Sequence, residues 1–325
     1  MTPALPPSSQ KTPSLVQTVL DLARSALGQA VATERWVQEF PPTRLDLTPA
    51  PGSIALSEVV RWEAFGTPHP LQGPRRVKGY LIGRECVRNG HYQGVSVQCQ
   101  AICDLVKHEV IQNWSCDISD VQGLAASKFP LEEAASLEAM ARATRPSLIE
   151  DVSAAGLAKN LAHDEIRILH RPEGGGDSFV QRAWDARLFL VNSGGSHHFA
   201  AAHVLAKLIG QTVPLTGRLH RYTLNPRAVR ELTQTYAMFA MANSAEAWND
   251  LHDAFRSDQV TWLWCGMPHP FWEARAVFLP QSQPRAQRAA AVLRDAGVAD
   301  LGQTLLGLAG LETPATAVHP RMSQT

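Results

Sequence analysis

No run of about 18 apolar residues occurs anywhere in the chain, which argues against a membrane-spanning helix. Excess charge of either sign is absent too. Thirty Lys and Arg balance thirty Asp and Glu, so no net field draws the chain to nucleic acid or to an anionic membrane. Cysteine is scarce: Cys86, Cys99, Cys103, Cys116 and Cys265 are too few and too irregular for a disulfide scaffold. No Cys-x2-Cys knuckle accompanies Cys99, Cys103, His108 and Cys116, so the two nearer thiols read as small apolar residues rather than zinc ligands. The Pro- and Ser-rich stretch from Met1 to Pro13 lacks the basic-then-apolar pattern of a secretory signal, and with free thiols the expectation is a cytoplasmic protein. Three catalytic signatures are missing as well. There is no Gly-Lys-Ser/Thr of a Walker A loop, no third glycine of the dinucleotide fingerprint and no Gly-x-Ser-x-Gly elbow.

What remains is an ordinary globular composition, 45% hydrophobic and 18% charged over 325 residues, with ample apolar surface for a core. The spacing of Leu15, Val19, Leu22, Ala23, Leu27 and Ala30 predicts an amphipathic helix over 14–36. A Pro-rich stretch follows, then extended segments at 77–83 and 94–100 about the turn Asn89-Gly90. Helices are predicted over 101–114, 131–143 and 147–160, and a strand over 165–170. Residues 171–179 read as a Gly-rich surface loop, 186–191 as a strand, 196–209 as a helix ended by Gly210, and 212–222 as extended. Pro226 opens a predicted helix to Ala242, a Trp-rich segment spans 248–272, and a final helix lies near 285–296. Alternating helices and strands place the chain in the α+β or mixed α/β class. The Trp-rich segment reads as core rather than a base-stacking platform, since only Arg256 and Arg275 stand near it. The short basic cluster Arg75-Arg76-Val77-Lys78, with three charges, makes only a weak case for phosphate contact.

One unit concentrates chemistry. The apolar strand Arg187 to Val191 runs into Asn192-Ser193-Gly194-Gly195-Ser196-His197-His198 and then an Ala-rich helix. Two glycines permit a tight turn and close approach of a ligand. Ser196 is placed to cap the helix, whose unpaired N–H groups and positive dipole end favour an anion. His197 and His198 add two titratable rings. The plainer reading is a capped glycine turn carrying two surface histidines. A Ser196–His pair for acyl transfer is geometrically poor, because neighbouring residues at a helix start point apart.

The string Gly194-Gly195-Ser196-His197-His198 before an Ala-rich helix resembles the signature turn of the ParB/sulfiredoxin-like superfamily, whose sulfiredoxin form is Gly-Gly-Cys-His-Arg. Leu148 to Leu157 is similar to that family's helix and Gly-Leu segment, Glu165–Leu169 falls where its next strand stands, and Val213-Pro214-Leu215 resembles its closing strand. The resemblance covers about residues 147–222. It implies a ParB/sulfiredoxin-like mixed α/β domain at 146–225. Around it lie an α+β region at 14–145, a mostly helical extension at 226–312, and tails at 1–13 and 313–325. It implies a nucleoside triphosphate, carried with Mg2+, against Asn192, Gly194, Gly195, Ser196 and His197, and phosphate hydrolysis or transfer. Glu150 or Asp151 would serve as the acid beside His197 and His198, chosen over Glu165, Glu173, Asp177 and Asp185, and Arg218 would reach the same pocket. Two departures matter: Ser196 replaces the thiol that sulfin reduction requires, and His198 replaces a permanent guanidinium. The alternative is a non-catalytic module concerned with DNA or plasmids, for which the net charge gives no support.

Overall fold

The structure is a computed structural model describing residues 15–40, 45–47, 52–67, 77–171, 176–242 and 244–311. The two tails, Arg75 and Arg76, and Glu173 to Gly175 lie outside the described residues. Helices α1 (Leu15–Ala26) and α2 (Val31–Glu39) come first, then the hairpin β1 (Tyr80–Cys86) and β2 (Tyr92–Gln98), α3 (Gln100–Cys103) and β3 (Val106–Asp117). After β4 (Gly123–Leu124) come α4 (Leu137–Thr144), α5 (Ala154–Leu161) and α6 (Arg167–His170). Next are β5 (Ser178–Arg182), β6 (Leu188–Val191), α7 (Ser196–Ile209), β7 (Pro214–Leu224), α8 (Pro226–Thr235), β8 (Tyr236–Ala242) and α9 (Ala245–Ser257). The last elements are β9 (Trp262–Gly266), β10 (Ala274–Pro280), α10 (Pro284–Asp295), β11 (Ala299–Asp300) and α11 (Leu301–Leu308).

The strands form two sheets, of order β3-β7-β5-β6-β4 and β11-β8-β10-β9-β1-β2. Alternation along the strands shows how they stack. Leu188 and Leu190 of β6 face a core shared with α4, α5 and α7, while Phe189 faces a second core. That second core also takes Met238 and Ala240 of β8 and Ala276 and Phe278 of β10, so it lies between the sheets. Phe239, Met241, Val277 and Leu279 face outward onto α2, α9 and α10. The result is four layers: helices, five-stranded sheet, six-stranded sheet, helices. This is a mixed α+β fold. Strands from both sides of residue 145 share each sheet: β3 and β4 pair with β7 and β6, and β1 pairs with β9.

Several expected elements change. The helix over 14–36 is two, broken where Gly28 takes φ +79°. The helix over 101–114 stops at Cys103, and the rest is β3, held by its long pairing with β7. Within 131–143 and 147–160 the α-helices begin only at Leu137 and Ala154, where Ser136 and Ser153 accept N–H bonds as caps. The strand over 165–170 is the short helix α6; β5, unexpected, begins at the end of the stretch read as loop and runs past it to Arg182. Pro226–Ala242 is half helix, half strand, so the C-terminal part carries β8 to β11 as well as helices.

Candidate functional site

The turn after β6 is built by its neighbours. Asn192 is buried, and its Oδ1 accepts from the Ala126 N–H at 3.1 Å. Its Nδ2 donates to the carbonyls of Ala126 (2.9 Å) and Gly194 (3.1 Å), clamping the loop after β4 to the turn. The Ser193 N–H and hydroxyl both donate to Asp177 Oδ1 at 3.1 Å. Burial pushes the Asp177 carboxyl up, and the Ser193 bonds oppose it. Gly195 is required where it stands: φ is +67°, and a Cβ would sit 2.8 Å from the backbone carbonyl of Glu165. Its N–H donates to Glu165 Oε2 at 3.2 Å.

Ser196 was expected to cap α7. Instead Gly195 occupies the N-cap and Ser196 is the first helical residue, its hydroxyl 3.0 Å from that of Ser127. It is therefore paired with a serine, not with an imidazole. Because glycine has no side chain to cap with, the N–H groups of Ser196, His197 and His198 have no partner among the described residues.

The residues that carry those groups line a cleft of about 410 Å³. Lys128 and Arg145 line it, and neither side chain makes an ion pair or hydrogen bond among the described residues. Three imidazoles, His163, His197 and His198, lie alongside, with Glu165 the one carboxylate of the lining among the described residues. Burial holds the His197 ring below its ordinary pKa, reinforced by Arg145 and Lys128. Burial also lowers His198, helped by His163, His197 and Arg145, with Glu165 opposing. With Lys128 and Arg145 against the single carboxylate of Glu165 among its described lining residues, the cleft is locally positive in a chain of zero net charge.

Five of the residues expected here are brought together: Gly194, Gly195, Ser196, His197 and His198 all line the cleft. Asn192 stands behind it as the clamp described above. Glu150 and Asp151 are exposed and do not line it; Asp151 accepts the Ser153 hydroxyl at 2.6 Å near the start of α5. Arg218 does not line it either. On β7, Leu215 and Leu219 face the α7 core, so Arg218 alternates to the opposite, exposed side with His220. Ser127, Lys128, Arg145 and His163 belong to no motif and come from segments far apart in sequence, which is why only the fold reveals them. Glu165, one of several carboxylates open at the sequence level, is singled out by its contact with Gly195.

Residues 111–315, more than half of the chain, match the model of a family of unknown function (DUF6685), and the chain belongs to that family. No curated protein and no solved structure matches it.

Proposed function

We propose that this member of the family binds a phosphate-bearing ligand of the nucleoside triphosphate class in the cleft at the start of α7. One observation carries the reading: uncapped N–H groups at a glycine N-cap share a cleft with two cations, Lys128 and Arg145, that have no counter-ion among the described residues. Helix N–H groups and the dipole favour an anion at that point, and fixed cations add to the attraction. The ParB/sulfiredoxin-like resemblance of the turn supports the same ligand class. Among the described residues no group of three His, Cys, Asp or Glu side chains is arranged to hold a metal. Mg2+ would therefore arrive on the phosphates, as it commonly does, with Glu165 the carboxylate at hand.

Hydrolysis or transfer of the terminal phosphate is the activity that goes with this ligand. A second reading, binding without turnover as in a DNA- or plasmid-associated regulatory module, is favoured by one observation: Glu165 already accepts the Gly195 N–H. Thermal unfolding with each nucleoside triphosphate, with and without Mg2+, separates the possibilities. A nucleotide-dependent rise in Tm is expected. Absence of a rise with every nucleotide would overturn the proposal, and a rise without phosphate release would favour the second reading.

A further inference from the structure

The phosphate-binding reading leaves one feature of the cleft unused, the way His198 is held. Asn160 is buried, and its amide nitrogen donates to the carbonyls of Leu148 (2.9 Å) and Gly156 (3.0 Å). Those two acceptors fix the orientation of the amide, so its carbonyl oxygen is the atom 3.1 Å from His198 Nδ1. A carbonyl cannot donate. The proton of the neutral ring is therefore on Nδ1, and the lone pair is on Nε2. The ring is also stacked on His163, with centroids 3.9 Å apart and planes 22° apart, which opposes its turning over. Nε2 makes no hydrogen bond among the described residues, and the side chain lines the cleft. His197 differs: neither of its ring nitrogens has a partner among the described residues, so nothing fixes its tautomer.

An imidazole with one nitrogen tied to a fixed oxygen and the other bare beside an anion site has the arrangement of a nucleophile. We propose that Nε2 of His198 accepts the terminal phosphoryl group of a nucleoside triphosphate bound at the start of α7, forming a covalent phosphohistidine. The proposal rests on the phosphate-binding reading above. The Nε2 lone pair forms the N–P bond as the bond from the γ-phosphorus to the bridging oxygen breaks, and the nucleoside diphosphate leaves with that electron pair. The ring gains positive charge while keeping its Nδ1 proton, and the Asn160 carbonyl facing that proton stabilises the charge. Water or a hydroxyl acceptor then forms an O–P bond as the N–P bond breaks. The electron pair returns to Nε2, and the acceptor's proton passes to solvent. Burial and the neighbouring Arg145 keep the ring in its neutral, nucleophilic form near neutral pH. Asn160 is in this scheme a positioning residue.

The test uses the full chain with γ-32P-labelled ATP, GTP, CTP and UTP in turn, each with MgCl2. The expected result is label on the protein that survives alkali, is lost in acid and maps by peptide sequencing to His198. His198→Ala should lose it. His220→Ala, on the far face of the five-stranded sheet, should keep it. Asn160→Asp places a carboxylate against Nδ1 and should move the lower limb of the labelling pH profile upward, a shift that a packing defect would not produce. Nucleotide-dependent stabilisation with no label, or label on another residue, overturns the phosphohistidine and leaves the binding reading standing. No stabilisation by any nucleotide overturns the binding reading, and the phosphohistidine with it.

Discussion

Gly195 and Gly210 bracket α7 with nearly the same backbone, φ +67° and +66°, yet their surroundings differ. An added methyl at Gly195 meets the Glu165–Ile166 backbone at 2.8–2.9 Å, whereas at Gly210 it meets nothing within 4 Å. Gly210→Ala should therefore cost only the left-handed backbone penalty, about 1 kcal/mol. Gly195→Ala adds a clash with backbone that cannot rotate away, and should cost about 2–4 kcal/mol. Urea midpoints of the two variants check the difference, and equal losses would remove the close approach as the reason for Gly195. This much was legible in the sequence, because a glycine pair between an apolar strand and an Ala-rich helix has few other uses. The role of Asn192 was not, since a clamp on Ala126 needs a partner loop that only the fold supplies.

Helix α7 shows where element-level reading succeeds and where it stops. Its bounds agree with the sequence expectation because Gly210 is a left-handed C-cap and the preceding helix is Ala-rich. Strands β8 and β10 were missed because both their faces are buried, Met238 and Phe278 toward one core and Phe239 and Val277 toward the other. Their apolar runs show no period of two; that of β8 passes for the end of a helix, and that of β10 falls in a stretch given no element. Strand β3 was missed for the opposite reason: most of it is exposed and polar, and its conformation comes from β7. Farther along α7, His203 is 6% exposed, and burial lowers its pKa from 6.5 to about 4. The unfolded chain thus takes the proton first. Stability is full above pH 6.5 and is lost as pH falls through 6.5 toward 4, by up to about 3 kcal/mol. His252 is depressed to a similar value, so His203→Gln should flatten only part of the fall between pH 7.5 and 4.5. An unchanged pH profile of the urea midpoint would contradict this source of acid sensitivity.

At the scale of the whole molecule, the site sits on the outer helical layer, apart from the core between the two sheets. Phe278 is fully buried between the sheets, stacked near Phe65 with centroids 6.2 Å apart. Phe278→Ala should lower stability by about 3–5 kcal/mol and leave nucleotide affinity unchanged at temperatures where the protein stays folded. A parallel loss of affinity would show that cleft and inter-sheet core are coupled. Net charge, zero for the chain, conceals the cleft entirely. Lys128 follows β4, Arg145 ends α4, and the glycine turn follows β6, and the folded layers bring them to one place. The direct test of that convergence is a calorimetric titration of the stabilising nucleotide, with Mg2+, into the wild type and into a Lys128→Ala/Arg145→Ala double variant. Both side chains are exposed, so the variant should fold. A Kd raised at least about tenfold, equivalent to about 1.4 kcal/mol, is the expected result, and an unchanged Kd would contradict the assignment of this cleft as the phosphate site.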